Sequence, residues 1–478
     1  MRNLIGNEWK TSSTKEIIQV KNPYNQMLLD TIPNSSNDDI NEAVRVSNQS
    51  RKYWSGISIN ERCEIMLSFR ELVKKESFEL AKLLTNETGK NISESKEEIF
   101  NLMELVTVFV EKARHMYGNV IPNGLDDKNN YTIQLTSRES IGIVVAILPF
   151  NFPVMTFARK VLAALIMGNN AIVKPSSKAP LTITKLVYLL RTAGVPEGVL
   201  QVVHGNGKNA GKALAMHPDI QLITFSGATT TGIEVMESAA KNLTRVLLEL
   251  GGNGVMIVNH DADIDLSIEE TIKGRLYNMG QSSFSTQKIL IHKEVKSIFL
   301  NNLIKKISKM KYGDPMDTSN ELSCIIDEEH AIKVEQQVSK LVSLGARIIM
   351  GGKREKNYYE PTILIDDIKN KSATINTEIL GPVIHIIEFN NINEAIKIVN
   401  DSPYGLSSSI FTKNLKMAFK VAQCLKTGNV IINGSTEYRS NEMAYGGWKY
   451  SGLGAEGVSS TLEQLSLLKT TVFNNVLE

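Results

Sequence analysis

The chain has 478 residues, with 53 lysines and arginines against 51 aspartates and glutamates and a formal net charge of +2. The two signs are well mixed, so no basic stripe marks a nucleic-acid partner, and the length predicts two or three domains rather than one small core. Cys63, Cys324 and Cys424 are isolated and odd in number, which excludes a disulfide framework and a zinc ligand set and leaves ordinary reduced thiols.

The opening residues, Met1-Arg2-Asn3-Leu4-Ile5-Gly6-Asn7-Glu8-Trp9-Lys10, lack the apolar core of a signal peptide. No later segment reaches the run of about 18 apolar residues that spans a bilayer, so a soluble, cytoplasmic protein without membrane contact is expected. Residues 36–115 read as amphipathic helices, with apolar and charged positions at helical spacing over 60–87 and 93–117. Residues 131–137 alternate apolar and polar like an exposed strand. Residues 143–148 form a continuous, β-branched-rich apolar run stopped by Pro149, the pattern of a strand buried on both faces. Helices are then predicted over 157–167, 181–193, 210–216 and 231–241, alternating with strands over 171–173, 200–203 and 222–225. That alternation indicates a parallel α/β sheet. A second α/β block is expected from near Glu249 to about residue 430. Residues 462–473 read as a further exposed strand, suited to pairing with a partner subunit.

The glycines do not spell the common dinucleotide fingerprint, because Gly205-Asn206-Gly207 is followed by Gly211, one position beyond the required spacing. Strand ends carry the signal instead. Pro149-Phe150-Asn151 follows the first buried strand, where parallel sheets bind ligands, and Asn151 reads either as an amide donor or as a helix cap. Lys174-Pro175-Ser176-Ser177 follows the second, with a lysine suited to ribose hydroxyls or phosphate, or simply solvated. Ser226-Gly227 ends a third strand and opens a helix whose N–H groups make an anion site. Glu249, in Leu247-Leu248-Glu249-Leu250-Gly251-Gly252, reads as a base with a raised pKa or as a strand glutamate facing solvent.

The segment Tyr277-Asn278-Met279-Gly280-Gln281-Ser282-Ser283-Phe284-Ser285-Thr286-Gln287-Lys288 resembles the nucleophile segment of the aldehyde dehydrogenase superfamily. That pattern is Gly-Gln-any-Cys, then a small residue two positions on and a basic residue three further. Ser283 takes the cysteine's place, Ser285 the small one and Lys288 the basic one. Together with the strand ends the resemblance covers nearly the whole chain in the family's order, and it is nearest to the lactaldehyde, semialdehyde and glyceraldehyde-phosphate branches. It implies an α/β fold with a Rossmann-like cofactor-binding domain (1–120 and 139–248) and an α/β catalytic domain (249–430). A small β oligomerisation arm (121–138 and 459–478) and a return segment (431–458) complete it, the latter carrying the glycine motif from Tyr445-Gly446-Gly447 to Ser451-Gly452.

The same resemblance implies oxidation of a small-molecule aldehyde to a carboxylic acid, with hydride transfer to NAD or NADP, no metal, and a homodimer or homotetramer. Asn151 and the backbone N–H of residue 283 would form the oxyanion hole, and Glu249 would activate water. Relatives that acylate coenzyme A typically lack that glutamate, so hydrolysis is expected. Pro149, Phe150, Lys174, Ser176, Ser177, Ser226, Gly227, Leu250, Gly251, Glu378 and Leu380 would bind the cofactor. Among them Lys174 and Glu378 would meet ribose hydroxyls and Ser226-Gly227 the pyrophosphate. Arg439 and Tyr445 would serve the substrate.

The chain departs from the family pattern at three of these places. An alcohol is a poor nucleophile without a base, so the Ser283 form is expected to turn over poorly. It reads as an introduced substitution that traps a complex, with a native dinucleotide-binding pseudoenzyme as the alternative. A serine hydrolase is disfavoured, since no His or Lys base is assignable. Ser177 stands where NAD-preferring relatives commonly carry glutamate, and Lys178 adds charge beside it, which predicts that NADP is accepted or preferred unless Lys178 faces water. Leu380 stands where relatives often place a phenylalanine. Arg439 reads as a partner for a substrate carboxylate or phosphate, or as a solvated arginine.

Overall fold

The computed structural model describes residues 1–121, 132–366 and 376–474. The helix-spaced region becomes four helices, Asn37–Gly56, Ile59–Lys75, Ser77–Thr88 and Ile92–Arg114. Ser36 and Asp39 form a reciprocal capping box on the first, Ser58 caps the second, and left-handed Gly89 closes the third. A turn at Glu76 divides what periodicity reads as one helix, and it keeps Phe69 and Val73 before it in one core with Leu80 and Leu84 after it.

The first sheet has the order Glu8–Lys10, Asn3–Ile5, Leu200–Val202, Asn170–Lys174, Ile143–Ile147, Leu222–Ser226, Arg245–Glu249, Gly452–Leu453. Its five inner strands, from Leu200–Val202 to Arg245–Glu249, are parallel, while the flanking ones pair antiparallel. Val144 and Ala146 pack against the N-terminal helices, and Ile143 and Val145 against Ile40, Val44 and Leu214. Burial on both faces is why this strand shows no alternation. The second sheet, Arg347–Met350, Thr362–Asp366, Val383–Phe389, Thr286–His292, Gly254–Val258, Ser407–Phe411 and Asn429–Ile432, is parallel except at its first strand. Helices cover both of its faces as well.

A third, antiparallel sheet joins Val120–Ile121, Ile133–Ser140 and Ser466–Phe473. Tyr131 and most of the predicted arm before it lie outside the described residues. The terminal strand is shorter than expected, because residues 458–464 form the helix Val458–Gln464 and bury Leu462 in the first core. The helix expected over 157–167 already starts at Pro153 and passes through a wide π turn, Ala158–Leu162. A second π turn, Gly207–Gly211, leads into Lys212–Met216. Among the described residues no helix is long and apolar enough to cross a membrane.

Candidate active site

The segment before Ser283 is held in a sparsely populated backbone conformation. Asn278, Met279 and Gly280 have φ of 48°, 54° and 68° in succession, and such strain persists only where the surroundings over-determine it. Here they do. Asn278 N donates to Glu94 Oε1 at 2.9 Å, its Nδ2 to Asn151 O at 2.9 Å, and its carbonyl accepts from Gln281 N and Nε2, both at 3.1 Å. Ser323 N donates to Met279 Sδ at 3.3 Å. Gly280 is required by its φ and by space, since a β-carbon would overlap the Gly381 carbonyl. Gln281 Oε1 accepts from Ile326 N at 2.9 Å, which accounts for the glutamine beside the glycine.

Past this turn Ser283 is partly exposed, and its neighbours are committed. Ser285 Oγ donates to Ser282 O at 2.8 Å and accepts from Arg275 Nη1 at 2.6 Å. Arg275 is buried and also reaches Val383 O and Ile379 O at 2.6 and 2.7 Å. Among the described residues no histidine or lysine hydrogen-bonds to Ser283, and its backbone N–H has no acceptor. Lys288, in the basic place, donates to Asn253 Oδ1 and to Thr377 O, and burial pushes its ammonium down to about 7. A β-carbon on Gly252 would overlap the Ser283 carbonyl, so the double glycine lets the segment after Glu249 pack closely on the Ser283 turn.

Asn151 is not a helix cap. Phe152 is the cap residue of Pro153–Phe157, and Glu98 Oε1 takes the N–H groups of Val154 and Met155 at 3.0 and 3.1 Å. Asn151 Nδ2 donates to Gln281 O at 2.7 Å, using one of its two amide hydrogens. Glu249 ends its strand, and its carboxyl is raised well above the ordinary range by burial and then by the neighbouring Glu456. Glu456 keeps its charge because Lys160 and Arg159 lie 2.9 and 3.6 Å from its oxygens. The π turn supplies both cations, and a small cavity lies between them, Thr224 and Glu249.

The other strand ends gather polar groups. Lys174 is buried, donates to Pro175 O at 3.1 Å, and is pushed down to about 8 by burial. Ser176 Oγ accepts from Lys178 N at 3.2 Å, and Ser177 is partly exposed beside it. Gly227 N donates to Glu249 O at 3.1 Å. The following helix, Thr229–Ala240, has Ala228 at its cap, and among the described residues it has no side-chain cap hydrogen bond. Leu250 N donates to Ser451 O at 3.0 Å and Gly251 N to Thr229 Oγ1 at 3.2 Å. Glu378 Oε1 accepts from Gly252 N at 2.9 Å, and burial raises its carboxyl to about 7. The Leu380 carbonyl accepts from His330 Nε2 at 2.9 Å. Phe150 lies edge-on to the same histidine ring, centroids 5.9 Å apart, and follows partly exposed Pro149.

Arg439 is not a solvated arginine. Its guanidinium carbon lies 4.4 Å from the Phe284 ring centroid and also over Tyr445, and its Nε and Nη1 are buried without partners among the described residues. The buried hydroxyl of Tyr445 is likewise unpartnered. Glu437 joins them with an orphaned Oε1, its carboxyl raised by burial and then by Glu94. Neither this glutamate nor Glu94, Glu98, Lys160, Arg275 and Glu456 is signalled in the sequence, since each acts on residues far along the chain. The turn had a local signal, Asn278-x-Gly280, two residue types that tolerate positive φ.

Residues 9–471 match the model of the aldehyde dehydrogenase family. The chain is 35% identical over 477 residues to a lactaldehyde dehydrogenase of Methanococcus aeolicus, covering 98% of this chain and 99% of the relative. It is 33% identical over 470 residues to a succinate-semialdehyde dehydrogenase of Escherichia coli K12 named for NADP(+), covering 98% and 96%. The structure of betaine aldehyde dehydrogenase from Staphylococcus aureus in complex with NAD+ superposes with a TM-score of 0.95 at 29% identity, covering 100% and 95%.

Proposed function

The chain belongs to the aldehyde dehydrogenase family, and from that premise we propose that it is built to oxidise an aldehyde bearing an anionic or hydroxylated group, with the nucleophile position held by serine. The observation that supports this reading is the strained turn before Ser283: Asn151 donates to Gln281 O there, Gly252, three residues beyond Glu249, packs on the Ser283 carbonyl, and Phe284 lies beside Arg439 and Tyr445.

The donor set fits a dinucleotide. Among the described residues Lys174 offers a buried ammonium with a single acceptor, and the start of Thr229–Ala240 has no side-chain cap. Lys174 and Glu378 would hold ribose hydroxyls, Ser226 and Gly227 the pyrophosphate, and Pro149, Phe150, Ser176, Ser177, Leu250, Gly251 and Leu380 the remainder. The bound NAD(P) supplies the hydride acceptor. A cysteine at 283 would attack the aldehyde carbon, and the oxygen that gains charge would be met by the free amide hydrogen of Asn151 and the unbonded N–H of residue 283. Glu249, held proton-hungry by burial and by Glu456, would then take a proton from the water that hydrolyses the thioester to acid. Ser283 reads as a replaced nucleophile rather than as drift toward pure binding, because every other position of this machinery is filled. The exposed Leu468, Val472 and Phe473 on the edge strand of the third sheet support that sheet as an arm joining copies of the chain.

Two outcomes test the substrate and base assignments in the Ser283→Cys background. Arg439→Ala raises KM for succinate semialdehyde roughly 10- to 100-fold, the worth of a charge-assisted pair, and leaves KM for propanal nearly unchanged. Equal changes for both aldehydes would remove Arg439 from substrate recognition. Turnover rises with pH as Glu249 loses its proton, and Glu456→Gln, which removes the like charge, moves that limb toward lower pH by about half a unit to one unit. A stationary limb, or one moved upward, would detach Glu456 from Glu249.

A further inference from the structure

Lys178 sits in the turn after Asn170–Lys174, beside Ser177, and its ammonium is ion-paired with Asp327 Oδ2. Asp327 comes from the other α/β unit and starts the helix Glu328–Ser343, its Oδ1 accepting from His330 N at 2.8 Å. Its two oxygens are thus divided between capping and pairing. Lys178 Nζ also lies 5.9 Å from the Phe150 ring centroid, and His330 links Phe150 to the Leu380 carbonyl. Lys178, Phe150, His330 and Asp327 therefore bridge the two units at Ser177. Each partner of the ion pair is about a third exposed, at 39% and 34%, so the pair is exchangeable by a ligand.

We infer that Asp327 determines cofactor preference by competing for Lys178. This rests on the proposed dinucleotide site, with Ser177, which stands where NAD-preferring relatives carry glutamate, placed at the adenosine ribose. With no glutamate at 177, Lys178 adds a second cation, beside Lys174, to the place a 2′-phosphate would take, and a phosphate monoester carries about −1.5 to −2 charges at neutral pH. To reach it Lys178 must leave Asp327, whose carboxylate then faces the phosphate with like charge. A 2′-hydroxyl brings no charge and leaves the pair intact. Asp327 thus holds down an NADP preference that Ser177 and Lys178 alone would create.

The test needs no turnover, so it uses the full-length serine protein, titrated calorimetrically with NADP+ and with NAD+. Asp327→Asn keeps a good helix cap while removing the charge. It is expected to tighten NADP+ about tenfold relative to NAD+, the scale of one charge-assisted contact. Lys178→Met is expected to weaken NADP+ relative to NAD+ and to abolish the effect of Asp327→Asn when the two are combined. Glu329→Gln removes a nearby exposed carboxylate that pairs with Lys333 instead, and is expected to shift the ratio far less. The inference is overturned if Asp327→Asn changes both cofactors by the same factor, if its effect survives Lys178→Met, or if Glu329→Gln matches it. Binding of neither dinucleotide to the unsubstituted protein would overturn the cofactor site itself, an outcome distinct from an unchanged ratio.

Discussion

Replacing Ser283 by cysteine raises aldehyde-dependent NAD(P)H formation by roughly 10⁶-fold, the scale on which losing the nucleophile cripples covalent enzymes. The two side chains differ by one atom, and the backbone that presents them is fixed from outside. Glu94, Asn151 and Ser323 hold Asn278 and Met279, while the Gly381 carbonyl closes on Gly280. The substitution therefore changes chemistry without moving the site. A thiol with a pKa near 8.5 is already a few per cent thiolate at neutral pH, whereas the Ser283 hydroxyl has no histidine or lysine on it among the described residues. The measurement is absorbance at 340 nm across an aldehyde panel with NAD+ and NADP+. Cofactor binding with no gain in turnover on any aldehyde would favour a dinucleotide-binding protein over an enzyme.

In that cysteine background, Glu249→Gln separates the two halves of the reaction. Glutamine keeps the size and leaves acylation intact, so rapid mixing gives a burst of about one NAD(P)H per site. Steady-state turnover then falls by roughly 10²- to 10⁴-fold, the usual worth of a general base. The raised pKa of Glu249 matters here, because a carboxylate of ordinary acidity would be too weak a base to take a proton from water at neutral pH. A linear progress curve with an unchanged rate would assign water activation to another group.

How legible each part was depended on how far its cause lies along the chain. The run at 143–148 marks a doubly buried strand, and the strands ending near 147, 174 and 226 are legible in the sequence, because burial and chain reversal leave local traces. The split at Glu76, the π turn at Ala158–Leu162 and the helix at Val458–Gln464 left no such trace, being set by what each segment packs against. At the site, Asn151 was open between donor and cap until Glu98, from a distant helix, proved to cap that helix instead. Glu249 reads in the sequence as either a raised-pKa base or a solvent-facing glutamate, and burial beside Glu456, itself held by two cations, excludes the second. Nothing near Lys178 in the sequence signals Asp327, which holds it.

By itself, then, the order of residues determined the family, the two α/β blocks and the identity of the groups at positions 151, 249 and 283, because side-chain chemistry and hydrophobic period are properties of the chain. Only the tertiary structure decided what surrounds those groups. Charge state, free donors and strain depend on neighbours that no local pattern in the sequence announces. It is Glu456 against Glu249, Arg275 against Ser285 and Asp327 against Lys178 that settle them.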